Sequence, residues 1–262
     1  MAEPTTSALR SVHATRYVTP LREGGSMPGL VEADDDGLYV VKFRGAGQGL
    51  KALIAEVVVG EVARALALRV PEIVLVEVDP LLAAAEPDPE IQELVQASGG
   101  SNAALDFLPG ALPFSPAAPV GVTPELAASV VWLDALSANV DRTPRNPNML
   151  IWHGDLWLID HGAALYRHHA ATWPAGAAEA PFPLIADHVL LPFAGSITEA
   201  DERLAPRLDR ATLERIVDAV PDDWLGADPA AARADYVEHF TARLTAPRAF
   251  AAEAEEARRA LG

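Results

Sequence analysis

Hydrophobic and polar positions change period several times along this chain. Leu38–Phe43 reads Leu-Tyr-Val-Val-Lys-Phe, β-branched and aromatic, and follows the turn-forming Asp34-Asp35-Asp36-Gly37, which predicts a strand. From Leu50 to Leu68, apolar residues at 50, 53, 54, 57, 58, 62 and 66 predict a helix. Pro71 ends that stretch, and Ile73–Val78 predicts a second strand stopped by Asp79-Pro80. Ala83–Pro89 reads as a loop, and Ala97–Asn102 as a turn before the short apolar piece Ala103–Leu108. Pro109-Gly110 and Pro113–Pro119 read as a linker, which sets a boundary between a lobe at 1–109 and another at 110–262.

The second part is mostly helical in pattern. Thr123-Pro124-Glu125 is a cap followed by proline in the first turn, and Leu126, Val130, Leu133 and Leu136 continue the helix. Asn148–Trp152 and Leu156–Asp160 predict a hairpin around His153-Gly154-Asp155. Ala211–Val220, Ala230–Leu244 and the last dozen residues predict further helices. The expected fold class is α+β, with a β-rich N-terminal lobe and a mainly helical C-terminal one.

Composition narrows the function. The 262 residues are 50% hydrophobic, enough for a sizeable core, and contain no cysteine, which removes disulfides, thiolate nucleophiles and cysteine-based zinc sites. Net charge is −17, which disfavours nucleic acid and anionic membrane surfaces as partners. The most apolar windows, Leu50–Leu68 and Pro181–Ile197, are interrupted by charges or prolines and fall short of the roughly 20 apolar residues of a membrane span. Met1–Val18 has no apolar signal-like run, so a cytoplasmic protein is expected. Of 20 Lys and Arg residues, only Lys42 and Lys51 are lysine, which singles both out.

The chemistry concentrates in two stretches, Asn139-Val140-Asp141-Arg142-Thr143-Pro144-Arg145-Asn146-Pro147-Asn148 and Leu158-Ile159-Asp160-His161-Gly162. A loop Asp, an Asn five residues later and a hairpin ending in Asp-x-Gly match the layout of a phosphoryl-transfer site. In that layout the first Asp, Asp141, accepts the acceptor hydroxyl's proton, while Asn146 and Asp160 hold Mg²⁺. Each piece alone is an ordinary turn former; their order is what carries the signal. Upstream, Lys42 on a strand followed by a carboxylate-bearing helix fits the pair that contacts ATP phosphates. At about 100° per residue Glu61 lies in the apolar stripe of that helix and Glu56 opposite, and periodicity leaves both open. Gly24-Gly25-Ser26-Met27-Pro28-Gly29 could cradle phosphate oxygens with main-chain N–H groups, although it is neither Gly-x-Gly-x-x-Gly nor a Walker A sequence. Gly45, Gly47 and Gly49 offer a second such cluster, read first as a strand-to-helix connection.

Gly-Gly-Ser, Tyr-Val-Val-Lys-Phe, the helix with Glu56, Val-Pro-Glu, the Asn139–Asn148 loop and Leu-Ile-Asp-His-Gly-Ala-Ala-Leu together resemble the HipA-like kinases, in particular their small stand-alone bacterial branch. The resemblance runs from about Arg16 to about Leu191. It implies a bilobal protein-kinase-like fold, ATP with Mg²⁺, and transfer to a hydroxyl. It also implies Asp141 as catalytic base, Asn146 and Asp160 as metal ligands, Lys42 on the phosphates, and Glu56 ahead of Glu61 as the partner of Lys42. His161 stands where many kinases have Phe, and Asn139-Val140 replaces the usual His-Arg. The Asp-Arg order also resembles phosphoinositide kinases, but no polybasic lipid-facing patch accompanies it.

The expected activity is therefore ATP- and Mg²⁺-dependent transfer to a hydroxyl of a protein Ser/Thr or a small molecule. A nucleotide-binding pseudokinase acting as an interaction module, or AMP transfer on the same fold, are the rivals. The histidines, including His168-His169, lack a His-Glu-x-x-His spacing and are not read as zinc ligands. Asp187-His188 is read either as a buried pair orienting the catalytic loop or as a surface pair. Ser26 is read as a turn serine, and Asp34-Asp35-Asp36 as a solvated turn.

Overall fold

Five strands at the start of the chain close into a barrel. They are β1 (Ser11–Pro20), β2 (Gly29–Ala33), β3 (Leu38–Lys42), β4 (Ile73–Val78) and β5 (Gly100–Asp106), in spatial order β1-β2-β3-β5-β4. β1 pairs antiparallel with β2 and parallel with β4, which removes both open edges. The structure is a computed structural model describing residues 9–21, 27–170, 173–174 and 176–261.

Two of these strands escape the hydrophobic pattern. β1 buries only Val12 fully, its polar side chains face water, and its strand character comes from pairing on both sides. Gly29, expected at the end of a phosphate-covering loop, opens β2 opposite Val41. A Cβ there would come within 2.6 Å of the Tyr17 ring and 2.8 Å of Phe43, so only glycine lets these rings close over the strand. The acidic turn at 34–36 is also more than a solvated corner. Asp35 accepts from Arg10 at 2.6 Å and Tyr39 Oη at 2.7 Å, and Asp34 accepts from the His13 N–H at 3.0 Å.

Alternation along β3 sends Tyr39 and Val41 into the barrel core with Val31, Val74, Val76 and Ala104, and turns Lys42 outward. Outside lies α1 (Gly49–Ala65), where every residue from Ala52 to Ala63 is buried, Glu56 and Glu61 included. It packs against β4 and β5 on one side and a helix of the second lobe on the other. A helix covered all round has no polar stripe to read.

The stretch expected as a loop ends in a short helix, α2 (Pro89–Gln96), capped by Asp88 and contributing Ile91 and Val95 to the barrel core. The turn predicted over Ala97–Asn102 already contains the start of β5. Nor is Pro113–Pro119 a free linker: β6 (Leu112–Pro113) pairs with β7 (Met149–Trp152), which pairs with β8 (Asp155–Leu158) in a second, three-stranded sheet. Trp152 and Trp157 pack edge to face across that hairpin, with centroids 5.2 Å apart.

The C-terminal part is built on α3 (Pro124–Ser137), buried from Ala127 to Ser137. Around it lie α4 (Ile197–Leu204), α5 (Arg210–Asp218), α6 (Pro229–Leu244) and α7 (Ala249–Arg259). The main hydrophobic core is continuous from α1 through α3 to α7, so the helix carrying Glu56 belongs to both halves. Polar clasps reinforce the join. Arg207 donates to the last carbonyls of α1, at 2.9 Å to Leu66 and 3.1 Å to Ala65, and Arg44 pairs with Asp223 at 2.8 Å. Among the described residues, no helix is long and apolar enough to cross a membrane.

Candidate active site

Lys42 occupies the seam between β3, α1 and the end of the second hairpin. Its ammonium donates to Glu56 Oε2 at 2.5 Å and to Asp160 Oδ1, a residue 118 positions away. Burial alone would lower its pKa, but the carboxylates of Glu56 and Asp160 outweigh that and hold it above the ordinary lysine value. Asp160 shows the reverse balance: burial pushes its carboxyl up, and Lys42 pulls it below the usual range. Glu56 Oε2 also accepts the His161 N–H at 2.8 Å, while Oε1 is buried without a partner. Glu61 faces away and pairs with Arg64 at 3.2 Å.

The backbone around Asp160 is set by local chemistry. Asp160 has φ +55°, a left-handed conformation that turns the chain sharply at the end of β8. Gly162 then leaves room for Lys42, because a Cβ there would lie 3.1 Å from Nζ. Lys51, the other lysine, donates to the carbonyls of His168 and Ala170, the latter at 3.0 Å. That bond ties the first turn of α1 to the short 3₁₀ helix at Tyr166–His169, just after the Asp160 turn.

Asp141 lies in the loop after α3. Its Oδ2 accepts from Asn146 Nδ2 at 2.8 Å and Asn148 Nδ2 at 3.1 Å, and its own N–H is held by Asn139 Oδ1 at 3.1 Å. Asn146 therefore points its amide nitrogen at Asp141 and keeps its carbonyl oxygen for another partner. Asp160, Asn146 and Asp141 thus offer hard oxygen atoms of the kind Mg²⁺ takes. Among the described residues there is no group of three or more His, Cys, Asp or Glu that could hold a metal ion. A small cavity beside Lys42, open to solvent, is lined by Phe43, Ala46, Gln48, Gly49, Ala52 and Leu53. It is walled partly by the connection carrying Gly45, Gly47 and Gly49, whose turn is held by Asn102 Oδ1 on Arg44 N at 2.7 Å and Ser98 Oγ on Gly45 N at 3.1 Å. Gly24, Gly25 and Ser26 lie outside the described residues.

One element of the site is not legible in the sequence. Asp134, fully buried on α3, accepts from Arg142 Nε at 2.6 Å, His188 Nε2 at 2.8 Å and Asn139 Nδ2 at 3.0 Å. Arg142 also donates to the carbonyl of Asn148, and its Nη2 lies 3.4 Å from His161 Nδ1. The α3 helix, the Asp141 loop, the hairpin end and the 188–190 segment are thereby joined at one point. Guanidinium offers only donors, so His161 Nδ1 is the acceptor and its proton sits on Nε2. The Leu190 N–H donates to His188 Nδ1 at 3.0 Å, which likewise places the His188 proton on Nε2, facing Asp134. Of the Asp187-His188 pair, only His188 is buried; Asp187 is exposed. Burial pushes Asp134 up, but Arg142 and His188 overcome it and hold the carboxyl well below the usual range. Arg142 directly follows Asp141 and Asp134 interrupts an apolar helix; a charge in that pattern was the available signal.

His168 gives a pH prediction away from the site. It is buried, bonded through Nδ1 to Tyr236 Oη at 2.8 Å, and its pKa is lowered to about 3 by burial and then by His169, Lys51 and His239. The unfolded chain takes up this proton near the ordinary value of 6.5, so the stabilisation is present above pH 6.5 and is lost as pH falls toward 3. Unfolding free energy should drop by about 1.4 kcal/mol per pH unit in that window from this residue. His168→Gln should flatten the denaturant-measured pH profile; an unchanged slope would rule the residue out as its source.

Comparison with solved structures places this architecture among the kinases. The chain is similar to the crystal structure of the Helicobacter pylori proinflammatory kinase CtkA, with a TM-score of 0.56 and 13% identity, covering 94% of this chain and 97% of that one. It is also similar to the Golgi casein kinase solved with Mn/ADP bound, with a TM-score of 0.50 and 12% identity, covering 96% and 73%. No curated protein matches the chain. The profile of the HipA-like kinases matches residues 15–248, and the chain belongs to that family.

Proposed function

We propose that this protein is an ATP- and Mg²⁺-dependent phosphotransferase that moves the γ-phosphoryl group to a hydroxyl, with Ser or Thr of a protein as the acceptor. The observation that carries this reading is the contact of Lys42 with both Glu56 and Asp160, next to a loop where Asp141 and Asn146 are hydrogen-bonded. The nucleotide triphosphate would take the cavity beside Lys42, whose third N–H remains to meet a phosphate oxygen. Asn146 and Asp160 would hold Mg²⁺, with the phosphates supplying further oxygens. Bound there, the metal supplies charge neutralisation on the phosphates. Asp141 orients the acceptor hydroxyl and takes its proton as transfer proceeds, while Glu56 keeps Lys42 in place.

Thermal unfolding of wild type and Asp160→Asn with ATP, with and without Mg²⁺, tests the reading. A ligand bound only by the native state raises stability by about 2.7 kcal/mol at 100 times its Kd. The expected result is a Mg²⁺-dependent rise in Tm for wild type that Asp160→Asn loses. No rise at millimolar ATP would sink the active-kinase assignment. Intact mass after incubation with ATP and an acceptor reads the group moved: a phosphate increment supports the proposal, and a nucleotide increment would replace it with AMP transfer.

A further inference from the structure

A second cavity lies on the helical side of the molecule, away from Lys42. It has about 280 Å³ of empty space, open to solvent, between the end of α3, the 3₁₀ helix at Tyr166–His169 and α6. Its polar walls are Arg167, Arg243, His239 and Ser137, and Trp173 and Phe182 are among its apolar ones. No carboxylate lines it, and neither guanidinium has a carboxylate partner among the described residues. In a chain of net charge −17, that is an unusual concentration of uncompensated positive charge.

The two arginines have different duties. Arg243, 4% exposed, donates to the carbonyls of Leu136 at 2.5 Å, Ala135 at 2.7 Å and Ala180 at 2.9 Å, with its guanidinium 4.9 Å above the Phe250 ring. It is fixed in position and contributes a buried charge. Among the described residues Arg167 commits only Nε, to Tyr166 Oη at 3.0 Å, and neither terminal amino group has a hydrogen-bond partner, so the two can form a fork. His239 stacks on Trp173 with centroids 3.9 Å apart, which holds its ring at the cavity wall. Burial, then Arg243 and Arg167, lowers its pKa to about 3, so the positive field at this spot is felt by a group facing it.

We propose that this cavity is a phosphate-binding site, distinct from the one at Lys42, that takes inorganic phosphate or the phosphate of a phosphorylated side chain, with Arg167 as the forked donor. The wall residues Ser137 and Ala138 directly precede Asn139-Val140-Asp141, so an anion held here sits against the root of the Asp141 loop. The site stands whether or not the chain transfers phosphate.

The test follows the His239 imidazole resonance by NMR, with calorimetry, during titration at constant ionic strength. One arm uses sodium phosphate and the other a short phosphoserine peptide. In wild type, phosphate should shift the resonance saturably and raise the His239 pKa, because the bound anion cancels the field of Arg167 and Arg243. Arg167→Gln, which leaves the Arg243 cage intact, should weaken the response about tenfold or more. A matching shift with the peptide identifies a phosphorylated side chain as an occupant; a shift with phosphate alone identifies the free anion. No response of His239 to either, or an equal response in Arg167→Gln, overturns the proposal.

Discussion

Asp141→Asn is expected to lower phosphoryl transfer by about 10²–10⁴-fold, the range supplied by a positioned general base, while leaving ATP-induced stabilisation in place. The geometry explains why the two effects separate. Asp141 Oδ2 is occupied by the side-chain amides of Asn146 and Asn148, whereas Oδ1 has no hydrogen bond among the described residues. An amide oxygen can still accept from both asparagines, so the loop keeps its shape. The amide nitrogen then replaces the oxygen that would take the acceptor's proton. Single-turnover transfer from radiolabelled ATP measures the first effect and the ATP-dependent Tm the second. If ATP stabilisation disappears together with transfer, Asp141 is a structural residue, and the role of base passes elsewhere.

The second large effect concerns stability. Asp134→Ala should destabilise the protein by about 3–5 kcal/mol, because it strands a buried guanidinium without its counter-charge. Arg142 is 1% exposed, and its remaining acceptors are carbonyls and the His161 ring nitrogen, none of which carries the negative charge to neutralise it. The carboxyl of Asp134 is held below its ordinary value of 3.8, so its contribution is fully present above that pH and is lost as pH falls through the native value. Denaturant melts of Asp134→Ala, Arg142→Met and the double variant give the coupling between the pair. The double variant should recover part of the loss, since an apolar pair can replace a buried ion pair at little cost. Transfer activity should not recover with it, because Arg142 also holds the Asn148 carbonyl and so the shape of the Asp141 loop. A single-variant cost below about 1 kcal/mol would show that the network is dispensable.

How far such features can be read in advance depends on how local they are. The cap and proline that start α3, the β-branched run of β3 and the hairpin at 149–158 are governed by neighbours a few residues away, and the sequence shows them. β1 and β2 do not show themselves, because one is polar on most positions and the other begins with a glycine kept small for two aromatic rings. Their pairing partners, including the parallel contact with β4, are what make them strands. The Pro-rich stretch after Gly110 misleads for a related reason: Pro113 sits on a two-residue edge strand, where a missing N–H costs nothing in the ladder.

The choice between Glu56 and Glu61 shows the limit most clearly. Helical periodicity distinguishes faces only when one face meets water, and α1 meets protein on every side. The family resemblance favoured Glu56, and the fold brings that residue onto Lys42 and leaves Glu61 to Arg64. By itself the sequence determined the order in which Lys42, Asp141, Asn146 and Asp160 occur, the local elements that carry them and the absence of cysteine chemistry. Tertiary structure alone decided that Lys42 reaches Asp160 across 118 residues and that Asp134, Arg142 and His188 join the loop to the helix behind it. It also decided that arginines and aromatic rings distant in the chain line one cavity open to solvent. Local propensities act over a turn or a hairpin, whereas these contacts exist only after burial has brought distant charges into low dielectric, where each must find a partner.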